Sequence, residues 1–210
     1  RLKLMRKNIL FRTFSVLLAV ALFAAVSPAA SAYTYDGDAA KRYADTYALS
    51  HNSSYRQFSG DCANFVSQCL YAGGLQQNDT WFYKNGYFAG IGYSEAWATA
   101  DTLKNYLKND LKATRLVSKW TNDGRGRSYA YINNSGNLSG DGTEIIFYDW
   151  NDDGIIDHTA ICVGTGYPLD GPRYYSDLID QHTTNRKQVT WHLDYFNQNR
   201  NSTAIYAFGL

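Results

Sequence analysis

The stretch "TEIIFYDWNDDGIIDHTAICVGTG", residues 143–166, decides how this chain is read. It holds two runs rich in Ile, Val, Thr and aromatics, 143–150 and 158–166, parted by a cluster of Asn, Asp and Gly. Such a pattern reads as two strands and the turn between them. Outward from it, further short runs of the same kind recur: 114–120, 128–133, 173–180, 187–194 and 203–210. The sequence before Thr114 has a different period. In 36–52, Ala40, Tyr43, Ala44, Tyr47 and Ala48 fall at helical spacing, with Asp36 or Asp38 available as N-cap. In "SGDCANFVSQCLYAGG" (59–74), Cys62, Phe65, Val66, Cys69 and Leu70 fall on one helical face, and Gly73 and Gly74 stop the helix. A third helix is expected over 94–109, with Ser94 at its cap and Glu95 in its first turn. Helices first and consecutive strands after them give an α+β class, with N-terminal helices packed on a C-terminal antiparallel β-sheet.

Residues 1–32 stand apart. A basic lead-in (Arg1, Lys3, Arg6, Lys7, Arg12), a short apolar run over 14–26 and the small exit "SPAASA" read as a secretory signal peptide. The apolar run is shorter than the roughly 20 residues a span needs, so no stable membrane insertion is expected after cleavage. The expected mature chain, 33–210, suits a single domain, secreted or associated with a cell wall. Five of the 20 Lys/Arg lie in the leader, which leaves 15 against 19 Asp/Glu, and no basic stripe occurs. Nucleic acid is therefore excluded as a partner. The 18 tyrosines suit a filled core first and sugar stacking second.

Three cysteines in an exported chain is an odd number, so at least one thiol stays free or pairs between chains. Cys62 and Cys69 lie seven residues apart, a helical rise of about 10.5 Å, too far for a bridge. No Cys-x-x-Cys or His-x-x-x-His spacing marks a zinc site. Cys69 and Cys162 sit inside apolar patterns as small buried residues, and a Cys69–Cys162 bridge between helix and sheet stays open. Cys62 differs because it starts a helix. Free N–H groups and the positive end of the helix dipole are expected to lower its pKa and to receive an oxyanion. That position suits a nucleophile.

A nucleophile needs a base, and there are four histidines. His51 and His192 read as surface or packing residues. His158 opens a strand, and His182 follows the next one. A helix-start cysteine facing a strand-start histidine, with a polar group on the neighbouring strand, is the general layout of papain-like catalysis.

The segments "DCANFVSQCLYAGG", "EIIFYDWNDDGIIDHTAICVG" and "QHTTNR", with "TWFYKN" and "SEAW…LKNYL", resemble the "putative amidase domain" family of bacterial secreted proteins. That group is papain-like and allied to NlpC-type and CHAP hydrolases. The resemblance implies a papain-like fold with Cys62 as nucleophile, His158 as general base and His182 as the orienting polar group. Asp180 and Asn185 are chemically suited to that last task too. The family often carries Gly-Asp before the "IIFYD" strand, where this chain has Thr143-Glu144, so the start of that strand is open. Gln57, five residues before Cys62, is a candidate oxyanion donor, and Asp61 reads as the N-cap of the Cys62 helix. The implied activity is hydrolysis of an amide bond, in peptidoglycan stem peptides, by a monomer through a thioester. Rival readings are a silent wall-binding module and an acyltransferase using the same cysteine.

Within the opening stretch, Asp149, Asn151, Asp153 and Asp157 match positions 1, 3, 5 and 9 of a calcium loop with Gly154 at 6, although position 12 is Ala160. A bound structural calcium is one expectation. A plain Asn/Asp/Gly turn is the other. No cofactor is expected to take part in the chemistry.

Overall fold

A computed structural model describes residues 34–210 apart from 87–89, 122–137 and 174. The expected leader, 1–32, and the expected strand at 128–133 lie outside the described residues. The order is α1 (Gly37–Tyr47), α2 (Cys62–Ala72), β1 (Tyr83–Gly86), β2 (Gly90–Tyr93), α3 (Glu95–Ala98), α4 (Ala100–Asn109), β3 (Thr114–Thr121), β4 (Glu144–Asp149), β5 (His158–Gly166), β6 (Ser176–Gln181), β7 (Arg186–Thr190) and β8 (Ala204–Gly209). Strands β3-β8-β4-β5-β6-β7 form one antiparallel sheet, and β1 and β2 form a separate hairpin. This is the α+β class expected.

Alternation along the strands sorts the core into two layers. Ile145, Phe147, Ile161 and Val163 face the helices, with Phe65, Val66, Cys69 and Leu70 of α2 against them. Ile146, Tyr148, Ala160, Cys162 and Ile179 form the opposite layer, closed by Trp191, Leu193 and Phe196. Because both faces are covered, every residue of β4 is buried. The same alternation decides the cysteines. Cys69 and Cys162 lie in opposite layers, and all three thiols are free, so the bridge left open by the sequence does not form.

Helix α2 is buried over Cys62–Leu70, not along one stripe only. Its polar residues are satisfied there, as buried polar groups must be. Asn64 accepts the Trp97 indole N–H at 2.8 Å, Ser67 Oγ donates to the Trp97 carbonyl at 3.0 Å, and Gln68 accepts the Tyr43 hydroxyl at 2.6 Å.

The single helix expected over 94–109 is two. Ser94 caps α3, and Thr99 is extended (φ −125°, ψ 139°) before α4 begins. The break sends Trp97 wholly into the core against Trp81, 4.8 Å between rings, while Leu103 and Leu107 bury on their own face. Helix α1, capped by Asp36, rests on the loop before β4. A Cβ at Gly142 (φ +83°) would come within 2.2 Å of the Gly37 carbonyl oxygen, so only glycine fits that approach. Strand β4 starts at Glu144, whose buried carboxylate gathers Ser139 and the Gly140 N–H. Among the described residues no helix is long and apolar enough to cross a membrane.

Candidate active site

Cys62 is the first residue of α2, and His158 is the first residue of β5. Cys62 is buried, and the backbone N–H groups of Thr159, Ala63 and Cys62 itself act on its thiol in the direction that favours the thiolate. Thr159 directly follows His158, so thiol and imidazole are carried to the same end of β5. Among the described residues no hydrogen bond joins the sulfur to the His158 ring. The helix start was expected to lower the thiol pKa, and the structure gives the opposite balance. Burial pushes it up, the three N–H groups offset this only in part, and the Asp61 carboxylate adds to the rise.

His158 is buried, with its ring stacked on Trp150 (5.5 Å between centroids) and tilted on Tyr148 (5.4 Å). Loss of water brings its pKa down to about 4, and a hydrogen bond to Gln181 opposes this. That bond runs between Nε2 and Gln181 Oε1 at 3.0 Å. The Gln181 amide is itself fixed, because its Nε2 donates to the Thr184 carbonyl at 2.9 Å. Gln181 therefore presents an acceptor, which assigns the His158 proton to Nε2 and leaves Nδ1 with a lone pair.

The residues expected to orient His158 lie elsewhere. His182 Nδ1 meets Asp61 Oδ2 at 2.7 Å, its Nε2 donates to the Tyr47 carbonyl at 2.9 Å, and its ring stacks on Phe65 at 4.1 Å. Both ring nitrogens thus face oxygen atoms of other residues. The Oδ1 of Asp180 accepts the N–H of Gln188 on β7 at 2.7 Å, and among the described residues its buried Oδ2 has no hydrogen-bond partner. Burial raises its pKa to about 7. Among the described residues, His158 is hydrogen-bonded to Gln181, one residue before His182, and no bond joins it to Asp180 or Asn185. The signal available in the sequence was strand parity. Gln181 shares a face with Ile179, in the layer that also contains Ala160, two residues from His158.

Asp61 stands at the N-cap of α2 but makes no side-chain cap bond. Its carboxylate turns back instead: Oδ1 accepts the Phe58 N–H at 3.0 Å and the Asn64 amide at 2.9 Å, and Oδ2 meets His182. Burial works to raise its pKa, but the His182, Phe58 and Asn64 bonds outweigh it and hold the carboxyl below its usual range. His51, on the loop after α1, brings Nε2 to 3.6 Å from the same Oδ2. The ligand atoms of His51, Asp61 and His182 lie within 4.8 Å of one another. Gln57 is exposed in the loop before α2, and His192 is buried.

The carboxylates of the 149–157 loop are turned onto its own backbone. Asp149 accepts the Asp153 and Gly154 N–H groups at 3.1 and 2.8 Å, Asp153 accepts that of Ile155 at 2.9 Å, and Asp157 accepts that of Trp150 at 2.8 Å. Asn151 donates to Asp153 at 2.9 Å. This is the bonding of an Asx-rich turn. A cleft of about 280 Å³ opens beside His158 and Gln181, walled by Trp150, Arg186 and Phe196.

Residues 34–207 match the model of a family described as "Putative amidase domain". Two Bacillus subtilis (strain 168) proteins are similar to the chain. "Uncharacterized protein YhbB" is 32 % identical over 138 residues, 63 % of this chain and 38 % of its own length. "Uncharacterized protein YjcM" is 31 % identical over 169 residues, 77 % of this chain and 34 % of its own length. The chain thus spans about a third of each relative. No solved structure matches.

Proposed function

The chain belongs to the putative amidase domain family, and on that premise we propose that it hydrolyses amide bonds through a thioester on Cys62. The observation that carries this reading is a buried His158 whose Nε2 meets Gln181 Oε1, which turns Nδ1 away from that bond, with the next residue, Thr159, acting through its N–H on the Cys62 thiol. At neutral pH both groups are uncharged, so the thiol is deprotonated as it attacks and not beforehand. His158 Nδ1 takes the thiol proton, directly or through one water, while sulfur bonds to the amide carbonyl carbon. The oxyanion is received by N–H groups at the start of α2, with Gln57 as a further donor. Gln181 Oε1 steadies the imidazolium, which passes its Nδ1 proton to the leaving nitrogen as the C–N bond breaks. Water, deprotonated by His158, then attacks the thioester, releasing a carboxylic acid and restoring the thiol.

A helix-start cysteine, a strand-start histidine and an amide on the adjoining strand support a papain-like assignment. The leader-like sequence of 1–32 supports secretion, and with the sequence resemblance it makes peptidoglycan stem peptides the proposed substrate. Amine release from purified peptidoglycan tests the reading. Cys62→Ala is expected to lose activity while keeping the parent's melting temperature, and His158→Ala to lose activity with a lower melting temperature, since it removes a buried ring. Activity retained in either would sink it.

A further inference from the structure

We propose that His51, Asp61 and His182 form a binding site for one divalent transition-metal ion of the zinc class. The three side chains come from the loop after α1, the residue preceding α2 and the residue following β6. Oδ2 of Asp61 lies 2.7 Å from His182 Nδ1 and 3.6 Å from His51 Nε2, and one ligand atom from each of the three residues falls within 4.8 Å of the others. A tetrahedral ion with ligands at about 2.1 Å holds neighbouring ligand atoms about 3.4 Å apart, so modest side-chain movement seats the ion.

The surroundings are those a metal site needs as well. A metal-bound histidine usually donates its second N–H to a carbonyl or carboxylate, which fixes the ligating nitrogen. His182 Nε2 already donates to the Tyr47 carbonyl at 2.9 Å, leaving Nδ1 toward Asp61. The non-ligating oxygen of Asp61 is held by the Phe58 N–H and the Asn64 amide. Two of the three ligands are thus locked in the buried interior: Asp61 is 3 % and His182 2 % exposed. The side chain of His51 is 32 % exposed and gives an ion a way in. The ion takes the place between His182 Nδ1 and Asp61 Oδ2, where the ring offers a lone pair while its Nε2–H stays with the Tyr47 carbonyl. Two imidazoles and one carboxylate select zinc, cobalt or nickel over calcium or magnesium, which take oxygen ligands. The fourth position is left to water or an outside ligand. Nothing in this assignment depends on amide hydrolysis.

The test is calorimetric titration of the chelator-treated full chain with Zn²⁺ alone, beside a Co²⁺ titration followed by visible absorption. One ion per chain is expected, with Co²⁺ giving the intense bands of a tetrahedral site. His51→Ala and the bulkier His51→Gln, both at a partly exposed loop position, should each bind at least about tenfold more weakly. The parent's melting temperature should rise with Zn²⁺, and the variants' should not. Stoichiometry well below one, or an affinity unchanged in both variants, overturns the proposal.

Discussion

His158 carries a pH signature of its own. Burial lowers its pKa to about 4, so it stays a competent base well below the pH at which an ordinary histidine, near 6.5, takes its proton. The acid limb of kcat/KM is therefore expected near pH 4, and a limb near 6.5 would contradict the burial seen. Because the Gln181 bond raises that pKa, Gln181→Ala should move the limb to still lower pH and cut kcat/KM by about 10- to 100-fold. His182→Gln should behave differently. It breaks a buried pair with Asp61, expected to cost about 3–5 kcal/mol in denaturant unfolding, and leaves the acid limb in place. A shifted limb in His182→Gln with none in Gln181→Ala would return the orienting role to His182. At this scale the sequence spoke unevenly. The places of Cys62 and His158 at the starts of α2 and β5 were legible because each follows a stretch containing Gly and Asp. Gln181 was not, since choosing between adjacent Gln181 and His182 requires knowing which face of β6 meets His158.

Strand β6 contains a second titrating group with the opposite sign. Asp180 keeps its proton in the fold to about pH 7, whereas an unfolded aspartate releases it near 3.9. The folded state thus binds the extra proton, and stability falls as pH rises through that window. Asp180→Asn should flatten this fall, measured as unfolding free energy at pH 5 and pH 8. Equal slopes in variant and parent would show that Oδ2 has a partner after all. Among the helices, α2 and the sheet strands were readable from periodicity alone. The break at Thr99 was not, because it comes from Trp97 seeking Trp81 and Asn64 across the core. Asp61 does stand at the N-cap of α2, but its side chain makes no cap bond, for a like reason. A buried histidine at the far end of the chain competes for the carboxylate more strongly than the local N–H groups do.

In the whole molecule, the sheet is a two-sided wall. Helices cover one face, and the segment running through Trp191, Leu193 and Phe196 covers the other. Trp191 is fully buried and its carbonyl receives the Tyr148 hydroxyl, so Trp191→Ala should cost about 3–5 kcal/mol. Because Cys69 and Cys162 lie on opposite faces of this wall, a reductant should leave the melting temperature unchanged. A fall of several degrees would mean that a disulfide contributes after all. The α+β order was legible from helical spacing giving way to β-rich runs, but the burial of both sheet faces was not. The strands of the sequence alternate too little to say what lies behind them. The central claim concerns Cys62, and it is tested most directly by amine release from purified peptidoglycan by parent and Cys62→Ala side by side. A loss of at least about a thousandfold in the variant, with folding intact, is the predicted result. Equal rates in the two proteins would contradict it.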